Sequence, residues 1–309
     1  MKDTSALVWA LMLLLLVACG SGGKRPPPIV VASAASPEQL VLGKMSVLAL
    51  KAADYEVVDK TGLGRPWVVR AALEAGNVDV WWEYTGETWT AHLGHDRPVG
   101  DSDELYQKVR GEDASNEITW LPVAPCRQSL ALVMREEAAQ RHDISTITDL
   151  LGYMERVDPY VSLCTPKEHY GAVSGIRGLE RFYDLRFDEE RVHLGSMSEG
   201  YQSLMRGECD CALGLFTDAE IASGSLRLLA DDRGFFQVSN LSAAVRTPIL
   251  RELPGLAGTL GEIAELLTQE VILDLNRQVT LDGQEPEAVA RRFLVSSGVI
   301  GRWPGTRKR

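Results

Sequence analysis

From Ile29 onward the chain alternates short apolar runs with helix-length segments, and that alternation confines it to an α/β architecture more tightly than any other feature. Ile29 to Ala32 reads as a strand. Ser36-Pro37-Glu38 then opens a helix running to about Ala53, with Ser36 as N-cap and Pro37 at the first helical position, where its missing N–H costs nothing. A second strand is expected over Tyr55 to Val58, a helix over Arg65 to Ala75 with Gly76 as its stop, and a third strand over Val78 to Tyr84. A helix over Asp103 to Arg110 and strands over Ile118 to Leu121 and Ser129 to Met134 follow. A second set of alternations covers Tyr160 to Cys164, Gly175 to Tyr183, Val192 to Leu194, Glu199 to Arg206 and Cys209 to Leu215. The pattern repeats without sequence identity. Two α/β lobes on mostly parallel sheets are the economical reading, with the ligand site in the cleft between them.

The first 28 residues have another character. Lys2 supplies a thin positive start, Ala6 to Val17 form an apolar run too short to span a membrane comfortably, and Leu16-Val17-Ala18-Cys19 has the order of a bacterial lipobox. Residues 1–18 are therefore expected to be a cleaved lipoprotein signal peptide and Cys19 the acylated lipid anchor of the mature chain. Residues 19–28 form a tether, flexible at Gly20-Ser21-Gly22-Gly23 and stiff at Pro26-Pro27-Pro28. An ordinary secretory signal or a short membrane anchor are the alternatives, and either one also exports the rest. No later stretch has the length and apolarity of a transmembrane helix. The expected location is the cell envelope, extracytoplasmic and lipid-anchored.

A net charge of −11 argues against nucleic acid as a partner. After Cys19 four cysteines remain, Cys126, Cys164, Cys209 and Cys211; export permits disulfides, and the full pairings stay open. Cys209 and Cys211 would point to one side of a strand, and His92 and His95 stand three residues apart on an expected helix. Neither pair has companions at zinc-ligand spacing, so no metal and no cofactor is expected. There is no Gly-x-Ser-x-Gly elbow, no His-Glu-x-x-His and no phosphate-cradling glycine loop, and the nearness of Cys164 to His169 in sequence carries little weight. An enzyme is not expected.

Several segments carry a resemblance. Glu38-Gln39-Leu40-Val41-Leu42-Gly43, Val78-Asp79-Val80 and Glu83-Tyr84-Thr85-Gly86 are followed by Gly178-Leu179-Glu180, Tyr201-Gln202-Ser203-Leu204, Thr217-Asp218, Asp231-Asp232-Arg233-Gly234-Phe235-Phe236 and Pro286-Glu287-Ala288-Val289-Ala290. In this order they resemble the substrate-binding lipoproteins of glycine betaine, choline and proline-betaine (osmoprotectant) ABC transporters. The resemblance implies a two-lobe type II periplasmic-binding-protein fold, with residues 29–128 plus 243–309 as lobe 1 and 129–242 as lobe 2. It also implies an extracytoplasmic solute-binding protein of an ABC importer, whose partners are a small amine or osmolyte-like solute, an ABC permease subunit and the membrane through the lipid anchor. The alternative is an envelope sensor without transport, or a degenerate binding lipoprotein.

In that family a quaternary ammonium sits in a box of aromatic faces and its carboxylate is held by basic and hydroxyl groups. Carried over, one cage tyrosine is kept as Tyr84, while the others fall on Leu130, Leu215 and Ser239. On the carboxylate side the usual lysine falls on Ala34, the arginine on Ala172 and the threonine on Glu87. Each lost aromatic face is worth about 0.5 to 2 kcal/mol, so tight betaine binding in the family's usual way is not expected. The candidate substrate-binding residues are Tyr84, Glu87, Leu130, Tyr170, Leu215 and Ser239, with Trp82, Arg127 and His169 as secondary candidates and Arg65 as a further polar anchor. They suit an amphiphilic, cationic solute without a free carboxylate. Tyr201 reads as structural.

Overall fold

A computed structural model of the protein describes residues 27–95 and 99–301. The expected signal peptide, Cys19 and the tether as far as Pro26 lie outside the described residues.

The first lobe's elements are β1 (Ile29–Ala34), α1 (Pro37–Ala52), β2 (Val57–Gly64), α2 (Pro66–Glu74), β3 (Val80–Tyr84), α3 (Ser102–Asp113) and β4 (Ile118–Trp120). A short strand β5 (Arg127–Gln128) leads into β6 (Leu130–Arg135), α4 (Ile147–Arg156), β7 (Leu163–Pro166), α5 (Ile176–Tyr183), β8 (Val192–Gly195), α6 (Met197–Arg206), β9 (Cys211–Leu215) and β10 (Leu226–Leu228). The chain then returns through β11 (Ser239–Arg246) and ends in α7 (Leu256–Leu266), α8 (Gln269–Thr280) and α9 (Pro286–Ser296).

One sheet has the order β2-β1-β3-β11-β4 and the other β10-β6-β9-β7-β8. Read from opposite ends they match. In each, three strands run parallel and the fourth, antiparallel to both its neighbours, is followed by a fifth: β2, β1 and β3, then β11 and β4, and β8, β7 and β9, then β6 and β10. The sheets are therefore mixed rather than mostly parallel. The reversal comes from β6 and β11, which enter their sheets from the other lobe, and β11 pairs with β5 where the chain crosses, Ser239 opposite Gln128 and Asn240 opposite Arg127.

Each sheet is covered on both faces. In the first lobe α1 and the C-terminal helices bury Val41, Leu42, Met45, Leu260 and Leu294 on one face, while Val69, Leu73, Leu105 and Val109 cover the other. Strand alternation sends Trp82 to the first of these clusters and Trp81 to the second. In the second lobe Leu150, Leu163, Ile176 and Tyr183 pack one face and Tyr201, Leu204 and Leu226 the other.

Four local expectations change. β2 runs to Gly64 rather than Val58, because it is an edge strand whose residues Asp59 and Lys60 stay exposed and so carry no apolar signal. Ser36 occupies the N-cap of α1 but its hydroxyl makes no capping bond, leaving Pro37 to mark the start. β9 begins at Cys211, so Cys209 and Cys211 do not share a strand face; Cys209 is disulfide-bonded to Cys164, while Cys126 and Cys211 are free thiols and buried. The fourth change is β11 itself, a buried central strand that the alternation reading did not place.

Candidate functional site

The parallel strands β1 and β3 end side by side, and in such sheets the crevice lies beyond the strand carboxyl ends. Beyond β1 come Ala35, Ser36 and the first turn of α1 with Glu38 and Gln39. Beyond β3 the chain turns at once into the short helix Thr85–Glu87. Gln39 locks the two ends together, its side-chain Nε2 donating to the Trp82 carbonyl (3.0 Å) while its Oε1 accepts from Trp81 Nε1 (2.8 Å). From the hinge, the Asn240 backbone N–H donates to Thr85 Oγ1 (3.0 Å).

These elements wall a cavity of about 330 Å³ that holds Glu38, Gln39, Arg65, Trp81, Glu83, Tyr84 and Glu87 from the first lobe, with Gln128 and Leu215 across from them. An adjoining cavity of about 280 Å³ shares Ser36, Glu38, Gln128 and Leu215 and extends to Tyr201, Thr217, Asp218, Glu220 and Asn276. Together they form one cleft between the lobes. Asn276 of α8 spans it, donating to Glu38 Oε2 (2.7 Å) and to the Thr217 carbonyl (2.6 Å). Gln128 Nε2 donates to Thr217 Oγ1 (3.2 Å) beside it.

The cleft is rich in carboxyl groups. Burial pushes the Glu38 carboxyl up, against the hydrogen bond from Asn276 and the nearby Tyr84 and Thr217 hydroxyls and with the help of the Asp218 charge. Asp218 is raised by burial too, although it accepts from Tyr201 Oη (2.6 Å) and the Leu215 N–H (2.8 Å). Glu220 is raised by burial. Glu87 reaches solvent in the cleft, yet it is enclosed by enough protein that desolvation, followed by the nearby Glu83, raises it. The Tyr84 hydroxyl is held well above its ordinary range by burial and by Glu38. Behind it, burial and the Glu38 charge push the Cys126 thiol to about 12, so it is no nucleophile. Among these lining residues Arg65 is the basic one, and its guanidinium lies over the Trp67 ring, 5.0 Å from the centroid.

The structure brings Tyr84, Glu87, Leu215 and Arg65 into the same cavity. The other candidates do not line these two cavities. Leu130 stands opposite Leu215 in the β6–β9 register and packs against the second lobe's core. Ser239 is buried in the hinge, where its Oγ leaves room only for a glycine at position 86. Tyr170 lies under the Arg177 guanidinium (4.7 Å), and His169, half-buried with its ring pK lowered by burial, sits on the same short helix Lys167–Tyr170. Arg127 is exposed on β5. Trp82 belongs to the first lobe's core rather than these cavities, with Nε1 donating to Ser46 Oγ (2.7 Å), while Trp81 on the opposite face of β3 is buried in the other core cluster and reaches the cavity wall.

Residue reading missed Glu38, Gln128, Trp81, Glu83, Asp218 and Asn276 as cleft residues. A signal existed for Glu38, since a helix that starts directly after the first strand points its first turn into the crevice. Nothing local marks Asn276, whose role depends on α8 folding back across both lobes. The two histidines go separate ways, His92 to Glu83 (3.1 Å) and His95 to Glu112 (2.9 Å) while stacked on Trp89. No group of three or more His, Cys, Asp or Glu among the described residues is arranged to hold a metal.

The family model described as the substrate-binding domain of an ABC-type glycine betaine transport system matches residues 27–296. A glycine-betaine-binding protein of Pseudomonas aeruginosa is 28% identical over 262 residues, covering 83% of this chain and 84% of its own. An ergothioneine transport permease/ergothioneine binding protein of Helicobacter pylori is 28% identical over 266 residues, 85% of this chain and 46% of that longer protein. A solved structure described as a glycine betaine/carnitine/choline ABC transporter superposes with a TM-score of 0.79 at 22% identity, covering 88% of this chain and 99% of that one, which shows the shared two-lobe fold.

Proposed function

This chain belongs to the family of substrate-binding domains of ABC-type glycine betaine transport systems, and from that premise we propose that it is the solute receptor of an ABC importer whose ligand is a cation without a free carboxylate. Members of the family are extracytoplasmic receptors rather than enzymes. The named ligands of the relatives differ from one another, so membership leaves the solute to be read from the cleft.

One observation carries the reading. The cleft sets Glu38, Glu83, Glu87, Asp218 and Glu220 beside the rings of Trp81 and Tyr84 in its wall, with Arg65 alone opposing them among the lining residues. A carboxylate ligand would enter against that charge, whereas a cation is attracted by it. The raised carboxyls point the same way, since they lack the positive neighbour that would hold them ionised.

The remaining assignments follow. Lobe 1 is taken as residues 29–128 plus 243–309 and lobe 2 as 129–242. Tyr84, Glu87 and Leu215 contact the solute, with Leu130, Tyr170 and Ser239 in supporting positions around the cleft. Cys19 tethers the receptor near its permease. The Cys164–Cys209 disulfide supports an oxidising, extracytoplasmic compartment.

The test is a thermal-shift screen of the purified protein against carboxylate-free amines and, in parallel, glycine betaine, carnitine and proline. A ligand at 100 times its Kd adds about 2.7 kcal/mol and raises Tm by several degrees. The expected result is a shift with a carboxylate-free cation and none with betaine. A shift confined to the carboxylate-bearing osmolytes would overturn the reading, and saturable binding without an uptake defect in a deletion strain would turn the receptor from transport to sensing.

A further inference from the structure

We infer that the recognised cation is one that donates hydrogen bonds, a primary ammonium or guanidinium group, rather than a quaternary ammonium. This rests on the proposed cation receptor and sharpens its chemistry.

The argument comes from what the cleft walls lack. Three polar side chains on them are buried and have atoms without a hydrogen-bond partner: both carboxylate oxygens of Glu83, Oη of Tyr84 and Oδ1 of Asn276. Their residues are 1%, 4% and 6% exposed. Glu83 has charged or ionisable neighbours, His92 Nε2 at 3.1 Å and Arg70 Nη1 at 3.9 Å, but neither aligns as a hydrogen bond, and Arg70 is committed to Asp113. Tyr84 faces Glu38 and the Cys126 thiol without a hydrogen bond of ordinary geometry. All three groups can accept. A buried polar group left unmet is costly, so these walls hold accepting atoms that N–H groups of a ligand would meet.

A quaternary ammonium has no N–H to supply and would leave every one of these acceptors unmet. A primary ammonium brings three donors, and a guanidinium brings five in a planar fork able to lie against an aromatic face. Glu38 and Asp218 add accepting carboxylates on the same walls, already engaged by Asn276 and by Tyr201 but with lone pairs to spare.

The experiment compares matched cations on the full protein by calorimetry: putrescine with its permethylated bis-quaternary analogue, and agmatine with choline. The donor-bearing member is expected to bind at least ten-fold more tightly, and Tyr84→Phe and Asn276→Leu, each deleting one unmet acceptor, should narrow that ratio. An unchanged ratio in both variants would mean that size rather than hydrogen bonding sets it, and the inference fails. If the quaternary members bind as tightly as their partners, the inference falls while the cation receptor stands. If no cation binds and betaine does, both fall.

Discussion

Two groups of acids, one behind β3 in the first lobe and one in the cleft between the lobes, differ in one respect, and the difference separates a structural pair from the proposed ligand site. Behind β3, Asp113 accepts from the Arg70 guanidinium through both oxygens, from Trp120 Nε1 at 2.7 Å and from Asn116 Nδ2 at 3.0 Å. Burial would raise its carboxyl, but these hydrogen bonds and the Arg70 charge outweigh burial and hold it below the usual range. In the cleft, Glu38 and Asp218 are partly exposed, have hydrogen bonds, and are nevertheless raised by the protein around them, because no guanidinium stands beside them. The first group is electrostatically finished within the chain. The second lacks such a partner within the chain, and the proposed cation would supply it.

The largest effect should come from unfinishing the first group. Arg70→Ala leaves Asp113 and Glu83 buried without their cation, and is expected to cost about 3 to 5 kcal/mol, the range for breaking a buried pair from one side. Thermal unfolding should show a Tm lower by roughly 10 °C. A loss under about 1 kcal/mol would show Asp113 to be no more dependent on its partner than the cleft acids are.

The second lobe is stapled instead. Replacing Cys164 and Cys209 together by Ala removes a covalent link that the first lobe lacks among its described residues, with an expected cost of about 2 to 4 kcal/mol. The check is denaturant unfolding with and without reductant. Reductant should lower the wild-type midpoint toward that of the double variant and leave the variant unmoved.

The smallest effect concerns the cleft and has the opposite sign. Glu38→Gln, which removes a carboxyl that burial disfavours, should leave the ligand-free protein unchanged or more stable by about 1 kcal/mol. The pH dependence follows the same logic. A raised carboxyl holds its proton more tightly in the folded state, so its destabilising contribution sets in as pH rises above the unfolded-state value and is complete above the folded one. Asp113 works oppositely, its stabilisation being present above the unfolded value and lost as pH falls through the lowered folded one. Tm followed from pH 4 to 8 should therefore decline less steeply toward neutral pH in Glu38→Gln than in wild type. Equal slopes would sink the contrast between the two groups.

Much of the architecture was legible because the strands of each parallel half pair with near neighbours and announce themselves by apolar runs. β3 and the turn after it could be read directly, and Tyr84 and Glu87 with them. Trp82 stands as a secondary cleft candidate and Trp81 does not, yet both rings are buried in core clusters on opposite faces of the sheet, because alternation separates the two rings without saying that helices cover both sides. β11 escaped because Ser239-Asn240-Leu241-Ser242 is a polar start for a buried strand, and its polar groups are met only by distant partners such as Thr85, Ser102 and Leu121. The site was less legible than the fold for the same reason.

The amino-acid order by itself determined the α/β alternation, the repeated lobe and the family, since these rest on local periodicity and on short motifs in a fixed sequence. Only the tertiary structure decided which cysteines pair, which tryptophan meets the cleft, and that Glu38, Glu87, Asp218 and Asn276 converge. Those depend on distances closed by residues as far apart as Glu38 and Asn276, and on how much protein surrounds each carboxyl. A charge can be counted in a sequence; whether it is buried with a partner or without one is a property of the folded chain.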